Sequence, residues 1–258
     1  MTDVRNLLPA IDAAAKAAGE AILDIYRTDF DIEWKSDMSP VTKADVDAET
    51  VILDVLQRLT PDIPVIAEEE ASAGRIPKVG DRFWLVDPLD GTREFLNRND
   101  EFTVNIALIK ERRPILGVVH APAKGLTFAG AGASTATRQE GEAPAHSITV
   151  RTPPTEGLTI VASRRHDTGK EREVFLRDFA VADRISCGSS LKFCLVACGD
   201  ADIYPRFGRT MEWDTAAGHA VLDAAGGCVT TTTGDSFDYR KPEFENPGFL
   251  AWGGLRPD

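Results

Sequence analysis

A chain of 258 residues, 43% hydrophobic and 27% charged, can bury a substantial core as one large domain or two closely packed halves, with the balance of a soluble globular protein. Its formal net charge of −12 argues against non-specific binding to nucleic acid or an anionic membrane, while leaving room for a local basic pocket. The four cysteines form no C-x-x-C pair and the four histidines show no metal-ligand spacing, which speaks against a disulfide framework or zinc site and for a reduced cytosolic protein.

The N-terminus lacks the basic start and apolar core of a signal peptide, and no stretch approaches the roughly 18 continuous apolar residues of a membrane span. Leu7, Leu8, Ile11, Ala14, Ala15, Ala18, Ile22 and Ile25 recur at helical spacing and predict a long amphipathic helix. Ile32 to Lys35 reads as a short strand and Ser36 to Pro40 as a loop. A second helix over Thr42 to Leu59 turns Ala48, Val51, Ile52, Val55, Leu56 and Leu59 inward. Thr42-Lys43-Ala44-Asp45 fits a capping box, so Asp45 on that motif alone is a helix cap. Ile63 to Ala67 is a short strand that runs into Glu68-Glu69-Glu70. Such a triplet is ordinarily a solvated turn, but strand ends are also where rigid scaffolds present chemistry.

Trp84-Leu85-Val86-Asp87-Pro88-Leu89-Asp90-Gly91-Thr92 begins as an apolar strand and ends in a turn with two carboxylates three residues apart. Pro88 pushes Asp87 toward an extended conformation, and Gly91 permits a positive φ or a close approach. A rigid corner carrying Asp87 and Asp90 suits a hard cation such as Mg²⁺, and a helix starting near Thr92 would offer free N–H groups to a phosphate. Taken in isolation, the stretch is equally compatible with an ordinary Asp-rich turn.

Phe102 to Lys110 and Ile115 to His120 read as paired strands across a turn at Arg112-Arg113-Pro114, with Leu126 to Gly130 continuing the meander. Residues 131–145 read as surface connection. Ile148 to Val150 and Leu158 to Ala162 are expected strands, followed by a polar helix over Thr168 to Phe179. A strand over Arg184 to Cys187 leads through Gly188-Ser189-Ser190 into a helix through Leu191, Cys194, Leu195 and Cys198. That order places N–H groups and hydroxyls beside an anion, unless Ser189 or Ser190 simply caps the helix. Ala201 to Arg206 is a strand, Asp214 stands at the start of a helix that holds His219, and strands near Cys228 and at Phe249 to Trp252 complete an alternating α/β half.

Three ordered motifs resemble the magnesium-dependent, lithium-sensitive phosphatases related to inositol monophosphatase. They are Glu68 at its strand end, Asp87 to Thr92, and Trp213-Asp214-Thr215-Ala216-Ala217-Gly218 with Gly226-Gly227 downstream. Ser39 to Asp45, Glu94-Phe95, Glu101 to Leu108, Pro114 to Val119, Gly188 to Ala197 and Tyr204 to Gly208 are most similar to the bacterial 3′(2′),5′-bisphosphate nucleotidase branch, the CysQ type. The resemblance covers nearly the whole chain apart from residues 131–146 and the extreme C-terminus.

It implies a layered αβαβα sandwich of the inositol monophosphatase and fructose-1,6-bisphosphatase type. An α+β half (1–147) would carry most of the metal ligands, and an α/β half (148–258) would carry Asp214 and the specificity residues. The ligands would be Glu68, Asp87, Asp90, Asp214 and the carbonyl of Leu89, holding two or three Mg²⁺ ions. Asp45 and Thr92, with Glu68, would activate the attacking water, and Asp45 could cap its helix through one oxygen while turning the other to the site. Acids without histidine or cysteine suit Mg²⁺ and would repel one another without it. Gly91, Thr92, Gly188, Ser189, Ser190, Lys192, Arg206 and Asp214 would contact substrate.

Arg206 stands where inositol phosphatases typically carry an acid, which favours a second phosphate over a polyol. The expected reaction is removal of the 3′-phosphate of adenosine 3′,5′-bisphosphate, with the sulfated nucleotide as a second substrate. An inositol or sugar-phosphate phosphatase, and a non-catalytic nucleotide-binding protein, are the alternatives. The expected partner is this small nucleotide, bound by a monomer or homodimer. The acidic balance favours a soluble cytoplasmic protein over one attached peripherally to the inner membrane.

Overall fold

The structure, a computed structural model, describes residues 3–28, 33–34, 40–163 and 170–255. The sequence expectations at Ile32, at Lys35 to Ser39 and at Thr168 and Gly169 therefore lie outside the described residues. Helix α1 (Leu8–Tyr26) is followed by a two-residue ladder of β1 (Glu33–Trp34) with β2 (Pro40–Val41), and α2 (Lys43–Leu59) packs on α1. Then come β3 (Val65–Ala67), α3 (Glu68–Ser72), β4 (Arg82–Asp90), α4 (Thr92–Leu96), β5 (Thr103–Lys110), β6 (Arg113–Ala121), β7 (Leu126–Gly130), β8 (Thr137–Glu140) and β9 (His146–Ser147). Strands β3 to β9 form one sheet in chain order, antiparallel except for β3 with β4.

The C-terminal elements are β10 (Leu158–Ala162), α5 (Lys170–Phe175), β11 (Val181–Ser186), α6 (Leu191–Ala197), β12 (Ile203–Arg206), β13 (Thr210–Met211), α7 (Glu212–Ala224), β14 (Cys228–Thr231), β15 (Glu245–Asn246) and β16 (Phe249–Trp252). The second sheet runs β11-β10-β12-β16-β14, and β13 pairs with β15 apart from it.

Alternation along β4 fixes the layers. Trp84 and Val86 pack with α1 and α2, whereas Phe83 and Leu85 pack with α6 and α7. Helices α6 and α7 are thus sandwiched between the two sheets, and Phe175 and Leu176 cover the far face of the second sheet beside Ile160 and Leu250. The result is the five-layer αβαβα order. Helix α7 lies directly on the large sheet because Gly117 has no side chain. A Cβ there would come within 2.4 Å of the Ala217 carbonyl oxygen. Packing of α7, which carries Asp214, therefore depends on a residue one sheet away.

Several boundaries differ from the sequence reading. The β5–β6 hairpin turns at Glu111-Arg112, both with positive φ (50° and 66°), while Arg113 and Pro114 already belong to β6. Turns of this hand normally announce themselves by Asn or Gly, which are missing here. Thr137 to Glu140, expected as connection, is a strand held by its backbone ladders to β7 and β9. Ile148 to Val150 is no strand, since its amides bond to the carbonyls of Ala136 and Ala225 as the chain crosses between sheets. Leu59, expected to face inward, is exposed at the last position of α2. The polar helix is only α5 plus a 3-10 turn at Leu176–Asp178.

A stability test arises in α1. Gly19 sits mid-helix, where alanine ordinarily stabilises by about 0.5–1 kcal/mol. A Cβ here would lie 2.6 Å from the ring of His120, which is buried and fixed by its 2.9 Å bond to Thr127. Overpacking costs about 1–3 kcal/mol, so Gly19→Ala is expected to lower the midpoint of urea denaturation; a raised midpoint would show that the ring can move aside.

Candidate active site

The corner after β4 is built by three local devices. The Leu89 N–H donates to Asp87 Oδ1 at 3.0 Å, the register against β5 shifts between Asp87 and Asp90, and Gly91 takes φ +91° before α4. The strand thus runs through Pro88 to Asp90 instead of ending at Asp87. Asp87 continues the face of Phe83 and Leu85, toward α7.

Two other acids are both third residues of their helices. Asp45 Oδ2 accepts from the Thr42 N–H (2.7 Å) and hydroxyl (2.8 Å), while Oδ1 lies 3.5 Å from Thr92 Oγ1. Asp214 Oδ2 accepts from the Met211 N–H at 2.8 Å. Each spends one oxygen on its helix N-terminus, so capping leaves Asp45 Oδ1 on the Thr92 side. Glu68 starts α3, whose next two amides, Glu69 and Glu70, donate to the buried carboxylate of Glu49 at 2.8 and 3.0 Å.

Across from these acids, the Cys187 to Ser190 segment leads into α6. Neither serine side chain caps that helix. The Ser190 N–H donates to Asp90 Oδ2 (2.6 Å), its hydroxyl meets Asn105 Oδ1 (2.6 Å) and Thr103 Oγ1 (2.8 Å), and Gly188 N–H donates to Glu101 (2.8 Å). Ser189 takes φ +49°, and its Oγ is buried without a hydrogen-bond partner. Lys192, only 4% exposed, bonds to the carbonyls of Ser189 and Cys187. Arg206, 9% exposed rather than a surface residue, donates to Ser163 Oγ (2.8 Å) and to the carbonyls of Arg209 (3.1 Å) and Gly208 (3.3 Å). One N–H of Lys192 and two of Arg206 remain after these bonds.

These groups meet at a cleft of about 560 Å³. Glu68, Asp90, Gly91, Thr92, Gly188, Ser189, Ser190, Lys192, Arg206 and Asp214 line it, while Asp45, Asp87 and Leu89 stand behind its wall. Burial, then the charges of Glu68, Asp90 and Asp214, hold the Asp87 carboxyl far above the usual range. Burial also raises Asp214, aided by Asp90 and Glu68 and opposed by Arg206. Asp90 is pushed up to about 6 by burial, with Lys192 and the Ser190 N–H pulling the other way. Glu49 rises to about 7, chiefly through burial.

Among the described residues, no three acid, imidazole or thiol groups converge as a finished coordination shell. The donor chemistry nonetheless fits a hard divalent cation: the acids are all oxygen donors, Glu68, Asp90 and Asp214 line one cleft, and burial with neighbouring charges disfavours the ionised forms of Asp87, Asp90 and Asp214, a conflict that a cation relieves.

The sequence reading missed Glu49 and gave Asn105 no role. Glu49 lies one turn after Asp45 on the buried face of α2, and Asn105 interrupts an apolar strand; both were visible as polar residues at core positions.

A model of the inositol monophosphatase family matches residues 3–249. The chain belongs to the inositol monophosphatase family. Enzymes of the inositol monophosphatase family are metal-dependent phosphatases. An Escherichia coli K12 relative named 3′(2′),5′-bisphosphate nucleotidase CysQ is 46% identical over 246 residues, covering 94% of this chain and 98% of that one. The solved structure of CysQ from Bacteroides thetaiotaomicron, described as a bacterial inositol monophosphatase family member, superposes with a TM-score of 0.80 at 36% identity, covering 96% and 97% of the two chains. An inositol monophosphatase from Anabaena superposes at 0.75 with 27% identity, covering 98% and 93%. No helix among the described residues is long and apolar enough to cross a membrane.

Proposed function

We propose that this protein removes the 3′-phosphate of adenosine 3′,5′-bisphosphate to give AMP and phosphate, and accepts the sulfated nucleotide as well. The observation that carries the reading is one cleft lined by Glu68, Asp90 and Asp214 together with Lys192 and Arg206. Glu68, Asp87, Asp90, Asp214 and the Leu89 carbonyl would hold two or three Mg²⁺ ions. When bound, such ions polarise the phosphoryl oxygen, lower the pKa of water and compensate charge on the leaving oxygen.

The chain's own residues supply position and proton transfer. The Asp45 oxygen not used for capping faces Thr92, and together with Glu68 they orient the attacking water and take its proton. Gly91 and Thr92 bound the position of the cleaved phosphate. Arg206, Lys192 and the Gly188 to Ser190 segment hold the second phosphate, for which the unpartnered Ser189 hydroxyl and the remaining guanidinium N–H groups are available. An arginine buried in this cleft suits a phosphate better than the hydroxyls of inositol, and four cysteines without a C-x-x-C pair fit a reducing cytoplasm.

The test compares adenosine 3′,5′-bisphosphate with adenosine 3′-phosphate, which lacks the second phosphate, in wild type and Arg206→Gln. Loss of one charge-assisted contact should reduce kcat/KM for the bisphosphate by about 10–100-fold and leave the monophosphate nearly unchanged. Equal losses on both substrates would remove Arg206 from recognition of the second phosphate.

A further inference from the structure

Thr103 and Asn105 are two polar side chains on the face of β5 that continues with Ala107 and Ile109 into the apolar layer against α6 and α7. Both are buried, at 0% and 1% exposure, and so is Ser190 at 2%. Polar groups so placed carry a desolvation cost unless every one is paired. Here they are paired, and in one direction only. The Thr103 hydroxyl donates to Ser190 Oγ, the Ser190 hydroxyl donates to Asn105 Oδ1, and Asn105 Nδ2 reaches Asp90 Oδ2 at 3.4 Å. Turning the Asn105 amide over would set its oxygen against the Asp90 carboxylate, so the orientation follows from the network.

The Ser190 N–H closes the ring on that same Asp90 oxygen. Both bonds fall on Oδ2, leaving Oδ1 of Asp90 for the cleft that this residue lines. The ring joins two chain segments 100 residues apart: the corner of the large sheet and the turn preceding α6.

We propose that Asn105 is a positioning residue that locks the Gly188 to Ser190 segment to Asp90. One side chain thereby fixes both the rotamer of a cation-binding carboxylate and the register of the segment that holds the second phosphate. The inference rests on the functional reading above for what the two ends bind, but not for the lock itself. An aspartate at position 105 cannot replace the asparagine, because it lacks the N–H that faces Asp90 and would add a like charge.

Amide hydrogen exchange in the cation-free protein tests the lock without any turnover. In Asn105→Ala, exchange of the peptide spanning residues 187–191 should rise about tenfold or more, while peptides from α1 and β6 keep wild-type rates. The same variant should need about tenfold more Mg²⁺ for half-maximal phosphate release, as expected when a ligand loses its outer hydrogen bonds, with a smaller change in kcat at saturating Mg²⁺. Ser190→Ala, which removes only the hydroxyl arm, should show the same pattern more weakly. Unchanged exchange at 187–191, or a uniform rise across the molecule, would overturn the proposal. If wild type releases no phosphate, the functional reading fails, and the exchange experiment still decides whether the lock exists.

Discussion

Asp90→Asn is expected to lower phosphate release by about 10²–10³-fold while making the cation-free protein more stable at neutral pH. The substitution is nearly isosteric and keeps an oxygen that can accept from the Ser190 N–H, so the corner after β4 need not rearrange. What it removes is one of several buried charges that oppose each other, since Asp90 raises both Asp87 and Asp214. Asp90 itself moves from an ordinary 3.8 to about 6, first through burial. The folded state therefore holds the proton more tightly than the unfolded chain. Its stabilising contribution is complete below about pH 4 and is lost as pH rises through about 6.

Cation-free wild type should accordingly melt at a higher temperature at pH 5.5 than at pH 7.5. Saturating Mg²⁺ should erase that difference, because a ligand of the ionised form stabilises it by mass action. In Asp90→Asn both the pH effect and the Mg²⁺-induced rise in Tm should shrink. A wild-type-sized rise in the variant would place the cation elsewhere.

Asp45→Asn should cost about 10²–10⁴-fold in kcat, the range for losing a positioned proton acceptor, with little change in Tm. Asparagine can keep an oxygen on the Thr42 N–H and thus preserve the α2 cap, but it presents no base toward Thr92. Thr42→Ala is the complementary change. It removes the hydroxyl bonded to Asp45 and the bond to the Ala44 N–H, costing about 1 kcal/mol of stability, and should reduce kcat much less. Circular dichroism melts and steady-state kinetics on the pair separate the two jobs of Asp45. If Thr42→Ala lost as much activity as Asp45→Asn, the carboxylate would be acting only as a helix cap.

The acids of the candidate site stood out in the sequence, through the family resemblance and because chemistry and local structure use the same signals. Asp87-Pro88-Leu89-Asp90-Gly91 is a corner by composition, and Asp45 and Asp214 announce themselves as first-turn helix residues. Both helix acids cap through one oxygen, so recognising the cap did not exclude the site. Glu49 and Asn105 were harder. Their roles lie in bonds to segments 15 or more residues away, and nothing in their immediate neighbours encodes those partners. The layers were implied by the family resemblance, and the alternation that builds them, Trp84 and Val86 on one face of β4 with Phe83 and Leu85 on the other, is seen in the structure. Strand β8 escaped notice, and the β5–β6 turn was expected one residue late, at Arg112 to Pro114 instead of Glu111-Arg112, because backbone pairing, rather than side-chain pattern, holds them.

The identity of the bond broken is the most direct check on the account. Wild-type protein with Mg²⁺ is given adenosine 3′,5′-bisphosphate and, in parallel, inositol 1-phosphate, and the products are separated by ion-exchange chromatography. The expected products are adenosine 5′-phosphate and inorganic phosphate from the nucleotide, with much slower release from inositol 1-phosphate. Adenosine 3′-phosphate as the product, or preferential turnover of inositol 1-phosphate, would contradict it.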